Sequence, residues 1–233
     1  LVAFRWWQLR REEQGQDPPV HLRLSEIIPL RSGLSTLPPQ NLILLGVFPL
    51  IVMFLITSIT MQRERVSGTL ERILTTPLRR LDLLAAYGTA FSIAAAAQAI
   101  LACVVAFWFL GFETAGSPIL VVVIAIINAV LGVGLGLLCS AFARTEFQAV
   151  QFMPVVIAPQ LLLCGIIVPR AVMPEWLQWI SNVMPASYAL EALQEVGKHP
   201  DLTATAVRDI AVVVGFAVLA LGLAAATLRR RTP

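Results

Sequence analysis

Charge is scarce in this 233-residue sequence: Asp, Glu, Lys and Arg together make up 13% of it, and Lys198 is the only lysine. Soluble domains carry about 25% charged residues, so water is not the solvent that most of this chain is built for. Cysteine and histidine are scarce as well. Cys103, Cys139 and Cys164 show neither a disulfide framework nor a metal-ligand spacing. All three fall in long apolar runs, where a thiol serves as a small packing group. His21 and His199 stand alone, so no metal site is expected. The apolar runs contain no H-E-x-x-H, no G-x-S-x-G and no paired carboxylates, so no catalytic residue is expected and the chain does not read as an enzyme. Gly197-Lys198 is not a phosphate-binding loop. The first glycine of such a loop would fall at Ala192, and His199 stands where Ser or Thr is needed. Any ATP used must be hydrolysed by another chain.

What is present is apolar length. Hydrophobic residues make up 58% of the chain and its mean hydropathy is +0.80. Crossing about 30 Å of hydrocarbon takes roughly 20 helical residues. Five segments qualify: Asn41–Thr60, Leu83–Leu110, Pro118–Phe142, Val150–Val168 and Ile210–Leu228. Period-2 alternation is absent, and backbone polar groups in lipid must be satisfied within their own segment. The expected fold class is therefore an all-α polytopic membrane protein with five apparent transmembrane helices.

Arginine sets the expected orientation, because short cytoplasmic loops hold the positive excess. Arg63, Arg65, Arg72, Arg79 and Arg80 follow the first span, Arg144 the third, and Arg229 to Arg231 the fifth. These segments, with the C-terminus, are expected on the cytoplasmic side of the cell membrane. Five spans then leave residues 1–40 outside, although they also hold five arginines. A missing or truncated first span ahead of Leu1 would remove this conflict, with residues 1–40 as the end of an external loop. The alternative is an interfacial anchor made by "LVAFRWWQLRREEQ". The +3 net charge is accounted for by topology, so no nucleic-acid partner is expected.

The segment "RERVSGTLERILTTPLRR" is too ordered to be mere flanking charge. From Arg65 onward, Val66, Leu70, Ile73 and Leu74 recur at helical spacing beside a polar stripe of Arg65, Thr69, Arg72 and Thr76. Ser67 and Gly68 suit a helix start, and Pro77 a stop. A short amphipathic helix lying on the membrane face is expected here. Further on, Pro174 followed by Trp176, Leu177, Trp179, Ile180, Val183 and Met184 predicts a second short helix. It would be external, re-entrant or interfacial, and would end at Pro185.

Within the spans, Gly88, Ser92 and Ala96, and separately Gly132 and Gly136, have the small-xxx-small spacing that lets helices approach closely. Gln98, Asn128, Gln151 and Gln160 are the few polar side chains at membrane depth, and no ionisable residue lies centrally in a span. Such amides are costly in lipid unless they face a helix or a wetted cavity, which makes them candidate substrate-pathway residues. Lack of a buried carboxylate argues against proton or sodium coupling.

Two stretches carry a family resemblance. "RERVSGTLERILTTPLRR" resembles the E-x-x-x-G-T-x-E-R-[IL]-x-x-x-P segment of ABC type-2 permeases, the membrane subunits of ATP-driven exporters. "QLLLCGIIVPRAVMPEWLQWISNVMPASYALEAL" is similar to that family's external signature, with Cys164 for the usual serine and "VMPASY" for "NPLTY". The resemblance covers about Asn41 to the C-terminus, giving a 41–233 ABC-2 type transmembrane domain after the 1–40 segment. It implies six spans, a coupling helix carrying Glu64, Gly68, Thr69, Glu71, Arg72 and Pro77, and docking on a nucleotide-binding ATPase that holds ATP and magnesium. No cofactor is then expected in this chain. A second permease copy, as homodimer or heterodimer, is implied as well, along with export. Pro174, Trp176, Trp179 and Pro185 would belong to an external gate helix. The apolar spans favour a drug or lipid. Haem, a polysaccharide, or a non-transporting scaffold or assembly factor that docks a cytoplasmic partner are the alternatives.

Overall fold

The computed structural model describes residues 41–69, 72, 80–112, 114–165 and 173–227. Residues 1–40 and the arginine tail at 229–231 lie outside them. Among the described residues every regular element is helical: α1 (Asn41–Val66), α2 (Arg80–Val104), α3 (Pro118–Ser140), α4 (Glu146–Leu163), α5 (Glu175–Val183), α6 (Pro185–Lys198) and α7 (Ala204–Thr227). Five of these, α1, α2, α3, α4 and α7, are long and apolar enough to cross a membrane. The expected fold class and its five spans are what the chain adopts.

α1 and α3 form the centre. Just over half of each apolar stretch, 56%, is buried, against 17–22% for α2, α4 and α7, whose outward faces carry aliphatic side chains suited to lipid. The central pair runs parallel in one constant register. Asn128 Nδ2 donates to the Gly46 carbonyl at 2.7 Å, across 82 residues of sequence. The same offset sets Gly132 against Leu50 and Gly136 against Phe54. A Cβ on Gly132 would lie 2.4 Å from the Leu50 carbonyl oxygen, and one on Gly136 would lie 2.6 Å from that of Phe54. One more turn brings Ser140 level with Ser58, and both are fully buried. The Gly132 and Gly136 spacing thus marks a backbone-to-backbone seam. The similar row in α2 does not, because Gly88 has only the tip of Leu221 at 4.0 Å.

At the end of α2 the helix widens to a π-turn over Val105–Phe109, closed by the Leu110 N–H on the Val105 carbonyl at 3.1 Å. Trp108 and Phe109 project outward, 80% and 79% exposed. Tryptophan settles at the membrane–water boundary, so Trp108 marks this turn as one rim of the bundle.

The stretch between α4 and α7 holds two helices where one was expected. Pro185 does end α5, but it also occupies the first turn of α6, where a missing N–H costs nothing. Ala186, Ala189, Leu190, Leu193 and Val196 then recur every three or four residues and are at most 3% exposed. They press α6 onto α1, α3 and α7. Its last carbonyls are met by the loop before α3: Gly116 N–H donates to Val196 at 3.0 Å and Ala115 N–H to Gly197 at 3.3 Å. This closes helix-end groups that would otherwise be orphaned. A Cβ at Gly116 would meet the Val196 and His199 carbonyl oxygens at 2.6 and 2.8 Å. Gly116→Val is therefore expected to destabilise this end of the bundle by about 1–3 kcal/mol, seen as faster proteolysis in the 199–203 connection with the other loops unaffected.

One expectation needs correction. The spans are not free of buried ionisable groups, because α7 begins at Ala204, six residues before Ile210. Thr203 caps it, its Oγ1 accepting from the Ala206 N–H at 3.2 Å, and this early start brings Asp209 into the helix. Its side chain is fully buried and paired with Arg208 at 2.7 Å.

Candidate functional site

At the arginine-rich end α1 runs past its apolar stretch to Val66, so Arg65 and Val66 belong to it and not to the following segment. The break falls at Ser67–Gly68. Gly68 has φ +74°, a conformation that glycine adopts without Cβ strain, and this stops α1. Its carbonyl then accepts the Arg72 N–H at 3.1 Å, the bond that opens a new helical turn. Ser67 Oγ ties the corner by donating to the Glu64 carbonyl at 3.2 Å and lies 2.9 Å from Thr69 Oγ1. Of the six candidate coupling residues, Glu64 sits in the last turn of α1, Gly68 and Thr69 at the corner, and Arg72 in the new turn. Glu71 and Pro77 lie outside the described residues.

Two contacts at this end were not read from the sequence. Arg63 reaches α4 through Nε to Glu146 Oε1 at 3.2 Å and Nη2 to Oε2 at 3.4 Å. Tyr87 of α2 donates its hydroxyl to Glu64 Oε2. Glu146 occupies the first turn of α4, where the helix dipole favours a carboxylate. Thr145 Oγ1 caps that turn by accepting the Gln148 N–H at 3.1 Å, and Gln148 Oε1 accepts the Arg144 N–H at 2.8 Å. The run "TEFQ" carries this capping pattern, a signal that would have started the fourth span four residues earlier than Val150.

The four candidate pathway amides do not form one cluster. Asn128 is spent on the α1–α3 seam. Gln160 is 3% exposed and joins elements, Nε2 donating to the Val156 carbonyl at 3.0 Å and Oε1 accepting the Ala186 N–H at 3.3 Å. It therefore fixes the start of α6 on α4. Gln98 of α2 is part-buried, with amide atoms that meet no protein partner among the described residues. Gln151 alone points away from the bundle, on the exposed face of α4 with Val150, Pro154, Val155 and Pro159.

Pro174 caps the start of α5, and Trp176 and Trp179 are 65% and 75% exposed. The opposite face holds Ser181, whose Oγ donates to the Leu163 carbonyl at 2.8 Å, so α5 is pinned to the C-terminal end of α4 with its tryptophans exposed.

Comparison with known proteins gives the context. The family model of the ABC-2 type transporter matches residues 1–196. The probable multidrug ABC transporter permease YbhR of Escherichia coli is 29% identical over 153 residues, which are 66% of this chain and 42% of the relative. Its neighbour in name, YbhS, is 26% identical over 178 residues, 76% of this chain and 47% of that protein. ABC transporter G family member 20 of Dictyostelium discoideum is 27% identical over 141 residues, 60% and 19%. The chain spans less than half the length of these curated relatives. With this match and five helices long and apolar enough to cross a membrane, the chain belongs to the ABC-2 type transporter family and is a multi-pass membrane protein.

Proposed function

We propose that this chain is the membrane-spanning subunit of an ATP-driven exporter that moves a hydrophobic or amphipathic solute, such as a drug or a lipid, out of the cell. The outward face of α4 carries the reading. Gln151 presents an amide there, and Pro154 and Pro159 lack the N–H that would bond the carbonyls of Val150 and Val155, both residues of the exposed face. Bare hydrocarbon is a poor solvent for such groups, each unsatisfied one costing several kcal/mol. That face is covered by a second copy of the permease and wetted by the solute path between them. Its remaining side chains, Phe147 and Leu162 among them, are apolar and exposed, which suits an apolar cargo with a few polar atoms. The names of YbhR and YbhS, multidrug permeases, agree with such a cargo.

A separate ATPase binds ATP and magnesium and docks on the segment from Glu64 to Pro77, at the cytoplasmic end with the C-terminus. Closure of two ATPase copies pushes this segment, and the permease halves tilt. The test is cross-linking. Gln151→Cys, with the three native cysteines replaced, should link two copies through a short bis-maleimide, and a transported compound should suppress the link. Absence of any inter-copy link at Gln151 together with unchanged transport would refute the reading.

A further inference from the structure

Adjacent side chains at the end of α1 hold opposite neighbours. Arg63 grips Glu146 at the start of α4, while Glu64, one residue on and about 100° further round the helix, takes the Tyr87 hydroxyl from α2. The segment that begins at Ser67 is therefore hung between two spans. The two ties differ in kind. The Arg63 and Glu146 side chains are 69% and 44% exposed, and an exposed ion pair is weak and screened by salt. The Tyr87–Glu64 bond is part-buried, and Tyr87 is also stacked on Phe91, with centroids 6.3 Å apart, so this tie is shielded and stiffened.

We infer that Tyr87 and Glu146 are positioning residues for energy coupling: Glu64–Tyr87 is the pivot on which the α1 tail turns, and Arg63–Glu146 is the catch that opens when it does. This inference rests on the exporter reading and adds two residues that lie outside the coupling segment. A movement of the segment is then passed to α2 at all times and to α4 only while the catch is closed.

The test uses the full-length permease in lipid nanodiscs, with spin labels at Thr69 and either Ala90 of α2 or Phe147 of α4. Tyr87→Phe keeps the stack on Phe91 and removes only the hydroxyl. It should broaden the Thr69–Ala90 distance distribution. Glu146→Gln should broaden Thr69–Phe147 and leave Thr69–Ala90 as it was, and added salt should reproduce that effect in the unmutated protein. In the complex with its ATPase, either variant should lower substrate-stimulated hydrolysis by about 5-fold or more, with basal hydrolysis retained. Charge reversal, Arg63→Glu with Glu146→Arg, should restore what each single reversal loses. Unchanged distance distributions in both variants would overturn the clasp, as would broadened distributions with full stimulation. A wild-type complex that never shows stimulated hydrolysis would count against the exporter reading alone, since the distance measurements decide the clasp without it.

Discussion

Gly132→Val and Gly136→Val are each expected to destabilise the bundle by about 1–3 kcal/mol, and the double variant to lose its folded state in mild detergent. The added carbons would fall 2.4 and 2.6 Å from backbone oxygens of α1. A rigid backbone carbonyl cannot move aside as a leucine tip can, so α1 and α3 must part along their whole shared seam. Parting them lengthens the Asn128–Gly46 hydrogen bond, now 2.7 Å, which in lipid is worth about 0.6–2 kcal/mol. Gly215→Ala and Gly222→Ala provide the contrast. Nothing lies within 4 Å of a Cβ at either site, and alanine is the better helix former by up to about 1 kcal/mol. Reversible unfolding in mixed micelles measures all four. Equal losses at Gly132 and Gly215 would show that glycine content, and not the seam, sets stability.

Glu71→Ala with Arg72→Ala is expected to leave insertion and expression intact and to abolish coupling between ATP hydrolysis and transport. Both residues follow the corner at Gly68, whose carbonyl opens the Arg72 turn at 3.1 Å, and their charges suit contacts with the ATPase proposed to dock there. Removing one member of a hydrogen-bonded charge pair at such an interface strands the other, at about 2–5 kcal/mol. Topology has no comparable stake, since Arg63, Arg65, Arg79 and Arg80 remain and satisfy the positive-inside bias. Co-purification of the ATPase with the double variant, with transport assayed in proteoliposomes, decides the matter. Normal transport at normal expression would remove the coupling role from this segment.

The spans were legible because each is an unbroken apolar run, and apolar length is a direct physical requirement of the bilayer. Their ends were less so. Hydropathy averages over a window, so Glu146 before the fourth run and Asp209 before the fifth fall outside the apolar runs, although Thr145 and Thr203 are the caps that start those helices. Spacing told the seam only in part. Gly132–x–x–x–Gly136 and Gly88–x–x–x–Ser92 read alike, yet only the first meets a backbone, because spacing states how close a partner could come and not which helix it is. Direction was hidden for the same reason. Gln98, Asn128, Gln151 and Gln160 are equally polar on the page, and the rotation of each helix alone sends Asn128 and Gln160 inward and Gln151 outward. The Tyr87–Glu64 tie spans 23 residues and the Arg63–Glu146 tie 83, too far apart for any local pattern to announce.

The filled centre of the bundle has an arithmetical consequence. Gly46 lies beneath Leu190 and Leu193, and α1 meets α3 with no side chain between them at Gly132 and Gly136, so in the proposed exporter the solute path is assigned to the boundary between copies. In an assembly of two identical copies, every substitution on the α4 face enters that boundary twice. Its free energies add, so a change that would shift selectivity threefold in one wall shifts it about ninefold in both. Pairing a mutant copy with an unmutated one should give the square root of the homodimer's effect, and a pair of two different natural copies should have a cargo preference midway, in free energy, between those of the two homodimers.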